Sequence, residues 1–262
     1  MKTRFLFAAA ILAVMSFFSC KKDNPAPGNP APGNPAPGNP VVEKRLKKLT
    51  KTEGGKVTVY NLTYNAAGKP VSYRNADNSA YVLFTYDAAG NLTGIEEKEE
   101  DFLNFYVYTY ANNIPVSGIF ESWDISGGLP GTLVEDDQLS YTVTNNQVSK
   151  IKLTSPGGPE WNFNFTYTNG NLTGVNTDGV IVYIVEFTYG NKKPIYPKVT
   201  NYILDQAGFS LLFAANHEIL KAVYDFPGTT HDYTTNNIYT YDSNGYVLTS
   251  TDGITQQVFE YE

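Results

Sequence analysis

The stretch YVLFTYDAAGNLTGI, residues 81–95, decides the fold because it recurs. FTYTNGNLTGV stands at 165–175 and YTYDSNGYVLTS at 239–250. Aligned on the tyrosine that ends each upstrand, copies fall at Tyr64, Tyr86, Tyr110, Tyr167, Tyr189 and Tyr241, with a weaker one in LSYTVTNNQVSKI around Tyr141. Two positions earlier stand Leu62, Phe84, Tyr108, Phe165, Phe187 and Tyr239. Side chains two apart share one face of a strand, so each copy offers an apolar or aromatic pair to the same side of a sheet. Turn chemistry follows. In YDAAGNL, Asp87 accepts from backbone amides, Ala88 and Ala89 occupy a type I turn, and Gly90 takes the left-handed conformation that closes a hairpin with a bulge. YNAAGKP at Tyr64 and YDSNGYV at Tyr241 obey the same rule, whereas TNGNL at Thr168 is a residue shorter. An apolar residue resumes the downstrand at Val71, Leu92, Leu172 and Val247.

Each unit is therefore one hairpin of roughly 20 to 25 residues, and no hairpin buries its own face, so the units must stack side by side. The 20 tyrosines and 15 phenylalanines favour strands over helices. The expectation for 41–262 is a single all-β domain: an antiparallel up-and-down meander of about 14–16 strands forming a barrel-like or strongly curved sheet. The longest interval, from Tyr189 to Tyr241, carries GFSLLFAANHEILKAVYDF. Phe209, Leu212, Phe213 and Asn216 fall at helical spacing, which predicts one short inserted helix over 209–216 that plugs or covers the open side, followed by an alternating strand. EKRLKKLTK at 43–51 sets Lys44, Leu46 and Lys48 on one face and Arg45, Lys47 and Leu49 on the other, as in a charged edge strand.

The first 40 residues read as an address. Lys2 and Arg4 precede the apolar FLFAAAILAV, and SFFSC ends at Cys20, the only cysteine. This is a charged start, a short apolar run and a cleavage zone, too short to span a bilayer. A single cysteine makes no internal disulfide. Its position resembles the lipobox of bacterial lipoproteins, whose cysteine is acylated and becomes the first mature residue; Ser19 fits that pattern, while Phe17 and Phe18 depart from it. The expectation is a signal peptide over 1–19, lipidation at Cys20, and stable membrane attachment through several acyl chains. KKDNPAPGNPAPGNPAPGNP then repeats NPAPG through 20–40. Proline fixes φ near the polyproline II value, so this stalk reaches on the order of 50 Å when extended.

The copies at Tyr86 and Tyr241 resemble the YD repeats of Rhs and teneurin-type proteins, families that coil many hairpins into a hollow shell. The whole layout, SC followed by KKD, a stalk and FTYD..GNL hairpins, is similar to a Bacteroidetes lipoprotein family of unknown function with a porin-like fold. The resemblance covers most of 41–262. It implies architecture and a cell-envelope, outer-membrane lipoprotein, periplasmic or surface-facing; it carries over no catalytic residue.

Chemistry is sparse. The formal net charge of −7, made more acidic when cleavage removes two of 19 basic residues, offers no patch for nucleic acid. His217 and His231 are the only histidines and lack metal spacing, and no nucleophile elbow, phosphate loop or dinucleotide motif occurs. No catalytic set, metal site or cofactor is expected. His217 with Glu218 forms a candidate ligand pair, although adjacent residues point apart. Trp123, beside a Gly/Pro-rich loop, is the better candidate platform for a sugar; Trp161 alternates with Phe163 and Phe165 and belongs to the core stripe. EEKEED at 96–101 and EDD at 135–137 read as solvated hairpin tips, with Glu97 and Glu99 sharing a face. The leading expectation is a membrane-anchored binding or scaffold module for a glycan or protein ligand. The alternatives are a carbohydrate-active hydrolase with an acidic site and, third, an outer-membrane pore.

Overall fold

The repeated turns form as their residues dictate. The computed structural model describes residues 43–179, 182–205 and 209–262, so the expected signal peptide, lipidation site at Cys20 and stalk lie outside the described residues. Gly90 donates to the Asp87 carbonyl (3.0 Å), the Asp87 carboxylate accepts from the Asn91 amide (2.8 Å), and Gly90 sits at φ 84°. Asn65–Gly68 and Asp242–Gly245 repeat these bonds. The shorter turns use paired left-handed residues, Asn112–Asn113, Asn145–Asn146 and Asn169–Gly170, as two-residue hairpins require.

These turns join β1 (Leu46–Glu53), β2 (Lys56–Tyr64), β3 (Pro70–Asn75), β4 (Tyr81–Tyr86), β5 (Leu92–Glu99), β6 (Phe102–Ala111), β7 (Ile114–Asp124), β8 (Thr132–Thr144) and β9 (Gln147–Thr154). The wall continues through β10 (Glu160–Thr168), β11 (Asn171–Asp178), β12 (Ile184–Tyr189), β13 (Ile219–Asp225), β14 (Tyr233–Asn236), β15 (Ile238–Tyr241), β16 (Val247–Thr251) and β17 (Thr255–Tyr261). Neighbours in the chain pair antiparallel, and β1 pairs with both β2 and β17. β14 and β15 are halves of one strand broken at Asn237, which donates from its backbone to Leu220 and from its side chain to Ile219. The lower half pairs with β13 and the upper half with β16, so the sheet is a nearly closed barrel. The all-β meander, its strand number and its single small helix agree with the sequence reading.

One regular feature was absent from that reading. At each Thr–Tyr step the register slips, leaving Val71, Thr93, Val116, Thr173, Leu220 or Leu248 as an extra residue on the partner strand. The Thr93 and Thr173 hydroxyls donate back to the carbonyls of Thr85 and Thr166. Such bulges sharpen the twist and aim the following side chain, here the tyrosine, along the inner wall.

The tyrosines then lock neighbouring strands together. Tyr64, Tyr86, Tyr110, Tyr167 and Tyr189 donate to the carbonyls of Leu46, Pro70, Leu92, Val148 and Leu172 at the starts of the preceding downstrands, at 2.5–2.9 Å. Tyr239 does the same to Ile219 (2.7 Å), while Tyr241 reaches Glu218 and Tyr141 reaches Leu204. This end of the barrel is the tyrosine rim; the opposite end is the free rim. Removing one such bond with Tyr86→Phe is expected to cost about 1 kcal/mol, read as a lowered urea midpoint with an unchanged slope. An unchanged midpoint would show that the hydroxyl does not clasp.

β1 departs from expectation in two ways. It is a paired strand, not an edge, and a bulge at Lys47 shifts the alternation so that Leu46 and Leu49, three apart, both face inward at 2% and 0% exposure.

A wall of this girth leaves a bore that its own side chains cannot fill. Residues 190–205 and 209–218 fill it. The segment leaves β12 at the tyrosine rim, descends through Val199, Tyr202, Ile203 and Leu204, and turns at α1 (Phe209–Leu212). It then climbs back through Phe213 and Ala214. The helix is shorter than 209–216 because the chain tightens at once: Phe213 donates to Ser210, and Ala214 and Ala215 both donate to Leu211. Buried Asp205 accepts from the Ser210 amide (2.6 Å) and hydroxyl (2.9 Å), which caps this start. Phe213 packs on Phe84, Phe209 and Tyr196 with ring centroids 5.1, 5.0 and 5.0 Å away.

The outer wall is polar. Direct cross-strand neighbours read Ser117, Ser140, Lys152, Asn162, Asp178 in one row and Thr142, Lys150, Asn164, Asn176 in the next. Lys48 pairs with Glu260 across β1 and β17 (2.5 Å). The apolar exceptions fall in two groups, one on β6–β8, where Val107 faces Ile119 and Trp123 lies between Leu103 and Leu133, and one of Val57, Ile238, Leu248 and Val258 on β2 and β15–β17.

Candidate ligand site inside the barrel

Two cavities flank α1. One, of about 110 Å³, lies against the β12–β17 wall among Phe187, Leu211, Leu212, Ala222, Thr235 and Tyr239. The other, of about 70 Å³, lies against β1–β5 and is lined by Lys51, Tyr60, Tyr73, Glu97, Glu99 and Phe213. Tyr196, Leu212 and Gln257 border both. The first runs from His217 and Glu218 near the tyrosine rim to Asp252 and Thr255 near the free rim, and the second reaches Ala80 and Tyr81 near the free rim. A third, polar crevice of about 180 Å³ lies at the tyrosine rim among Lys69, Asn91, Tyr110 and Lys198.

The second cavity combines aromatic and acidic walls. Tyr60 and Tyr73 stack at 4.6 Å with planes 11° apart, and Tyr196 meets Tyr73 edge-on at 6.1 Å. Parity brings the carboxylates in: Ile95 points inward, so Glu97 and Glu99 follow it. Glu97 is 8% exposed, against the expectation of a solvated tip. Burial pushes its pKa up to about 7, opposed by the Asn104 amide (3.2 Å) and assisted by Glu99 and Asp205. Glu99 is raised by burial as well, with Lys51 pulling it back. EDD is likewise no tip. It lies within β8, where Leu139 fixes the inward parity; Asp137 is 1% exposed and accepts from Ser155. Burial and the neighbouring Asp137 raise Glu135 to about 8.

Glu97, Asn104, Ser122 and Glu135 form one cross-strand row inside the barrel. Counting alternation outward from Ile95 and Leu139 would have found these carboxylates from sequence. Among the described residues no group of three or more His, Cys, Asp or Glu side chains is arranged to hold a metal ion.

The residues singled out from sequence lie apart. Glu218 is buried at the tyrosine rim, accepting from the Lys192 amide (2.7 Å) and the Tyr241 hydroxyl (3.1 Å), and it lines the first cavity together with His217. His217 Nδ1 instead meets the Asn171 side chain (3.0 Å), so the two adjacent side chains have separate partners. Trp123 is in β7 itself, half-buried on the outer wall between Leu103 and Leu133, with its indole N–H on Glu121 (3.1 Å). Trp161, 7% exposed, joins the core as read.

Comparison with known proteins accords with this architecture. A profile of the RHS Repeat family matches residues 64–96, which span two of the clasping tyrosines. No curated protein matches the chain. Among solved structures, a porin-like protein from Bacteroides vulgatus ATCC 8482 superposes with TM-score 0.55 at 12% identity, covering 84% of this chain and 99% of that one. A porin-like protein from Bacteroides uniformis ATCC 8492 superposes with TM-score 0.50 at 15% identity, covering 82% and 96%. The chain thus carries RHS-type repeat hairpins and shares the fold of these porin-like proteins.

Proposed function

We propose that the chain is a membrane-anchored cell-envelope lipoprotein whose barrel is a binding module, receiving a glycan or protein ligand at the cavities beside α1. The observation that carries this reading is a stopped bore: residues 190–205 and 209–218 pack inside the barrel and leave two small chambers beside α1. A pore is the weaker alternative. Membrane barrels face lipid with an apolar band and water with a polar lumen, whereas here the outer rows across β7–β11 are Ser, Thr, Asn, Lys and Asp and the interior is aromatic. A hydrolase is also weaker. Glu97 and Glu135 are three ladder steps apart, about 14 Å along the wall, beyond the roughly 5 to 9.5 Å of a glycosidase pair. Glu97 and Glu99 are closer, but they stand two apart on one face of β5 and so approach a ligand from the same side instead of flanking a bond.

The leader sets the orientation. Arg45 exchanges backbone bonds with Glu262 at the tyrosine rim (3.0 and 2.9 Å), so a stalk preceding it holds that rim toward the membrane and turns the free rim outward. The test uses the full chain in mild detergent on a glycan array. Filling the space beside α1 with Leu212→Trp is expected to lower capture at least tenfold with the fold retained. Steady conductance in planar bilayers would overturn the reading in favour of a pore.

A further inference from the structure

We propose that the free edge of β14 docks an extended peptide of another protein, which adds a strand to the wall and sends one side chain into the first cavity. This rests on the reading of that cavity as a ligand chamber and assigns the class of its partner.

Strand register creates the edge. Ile238 on β15 lies opposite Thr251 on β16, where that ladder ends; the chain turns at Asp252 and Gly253 and returns as β17 from Thr255. Beyond this level β14 extends toward the free rim through Asn236, Thr235, Thr234 and Tyr233, paired with β13 on one side and, among the described residues, with no strand on the other. Alternation fixes which backbone groups are free. Asn237 donates to the Leu220 carbonyl (2.8 Å), so Thr235 and Tyr233 also turn their backbone groups to β13, and the N–H and C=O of Thr234 and Asn236 point away from it. Both residues are exposed.

The edge borders the first cavity. Thr235 and Asn237 line one side of it, and Ser250, Asp252 and Thr255 line the other, so the step in the wall lies over the chamber. On an added strand, the residue opposite Thr235 carries its side chain on the same inward face, toward Leu211, Leu212 and Ala222, while its two neighbours bond to Thr234 and Asn236. A volume of about 110 Å³ takes one apolar side chain. The Thr235 hydroxyl is buried without a partner, a second group left open at the same place.

These features select the occupant. Donors and acceptors alternating along an edge match the main chain of an extended peptide, the pairing used in strand addition. A second copy of the barrel fits less well: edge to edge it meets only the four residues of β14, whereas a stable interface buries on the order of 1,200 Å² or more. Charge does not choose the partner. Thr234 and Asn236 are neutral, Lys221, Asp225, Asp232 and Asp252 on the flanking elements have both signs, and Asp232 and Asp252 are engaged by backbone amides of their own turns.

The experiment titrates the full chain in mild detergent with an acetylated, amidated pentapeptide whose central leucine is flanked by threonines, following the amide shifts of Thr234, Asn236 and Ala222. The peptide is expected to shift all three. Binding should weaken at least tenfold when the two flanking threonines of the peptide are N-methylated, and likewise when glycine replaces its leucine. Thr234→Pro deletes one outward donor and none of the bonds to β13, at an edge position where proline is tolerated; it should melt within a few degrees of wild type and bind at least threefold more weakly. Equal binding of the N-methylated peptide to the wild-type chain overturns the edge proposal and leaves the chamber reading standing. Absence of any shift overturns it too, and the effect of Leu212→Trp on glycan-array capture then decides the chamber reading separately. A dimer without peptide that Thr234→Pro converts to monomer assigns the edge to a second copy, which also overturns the proposal.

Discussion

Phe213→Ala is expected to cost about 3 to 5 kcal/mol, the range for emptying a fully buried aromatic site. Phe213 is 2% exposed, and three rings surround it: Phe84 from the wall, Tyr196 from the descending arm and Phe209 from α1. Its backbone is committed as well, donating to Ser210 and accepting from Val199. None of these neighbours can close the gap without pulling a wall strand inward or releasing the helix. Urea denaturation reads the loss, with the outer-wall substitution Val107→Ala as a control within about 0.5 kcal/mol of wild type. A cost below about 1 kcal/mol for Phe213→Ala would mean that the segment around α1 only lies in the bore and does not support it.

The second large effect is a stability that declines as pH rises. Glu97 titrates near 7 in the fold against an ordinary value of 4.5. The fold prefers its protonated form, so the protein is most stable below about pH 4.5 as far as this group is concerned. It loses stability as pH climbs to 7 and is level above. For this nearly fully buried group the loss is on the order of 3 kcal/mol. Glu135, raised to about 8, extends the decline upward. Exposed turn carboxylates act oppositely. Asp87, held low by bonds from Asn91, and Asp242, held low by Lys44 and turn amides against some desolvation, favour the fold only while ionised, which sets an acid limit near pH 4. Melting temperatures should therefore peak around pH 5 and fall toward pH 8.5. Glu97→Gln, which deletes the buried charge, should flatten that slope and stabilise the protein at pH 8.5. A melting temperature that holds or rises from pH 5 to 8.5 would sink the argument.

The same carboxylates mark the boundary of what the chain discloses as text. FTYDAAGNL disclosed its hairpin because every position has a local reason: Phe84 and Tyr86 by spacing, Asp87 by its acceptor, Gly90 by its φ. GFSLLFAAN disclosed a plug because so many apolar residues outside the strand rhythm need an interior. EEKEED disclosed nothing, since a run without apolar members does not announce a face; only parity carried from Ile95 places Glu97 inside. Lys47 was misread for the converse reason. Its bulge arises from pairing with β17, more than 200 residues distant, and local alternation has no access to that. Trp123 drew notice as a rare residue near a loop, yet the strand runs on through it.

The tyrosine clasps have a consequence for how such a wall changes over time. Those of Tyr64, Tyr86, Tyr110, Tyr167 and Tyr189 grip the strand immediately before them and none of those after. A pair of strands closed by such a clasp can therefore be duplicated or lost as a cassette that brings its own fastening, with the other strand-to-strand clasps still facing their carbonyls. Girth becomes a heritable variable that steps in whole hairpins, and only the segment filling the bore has to be refitted at each step.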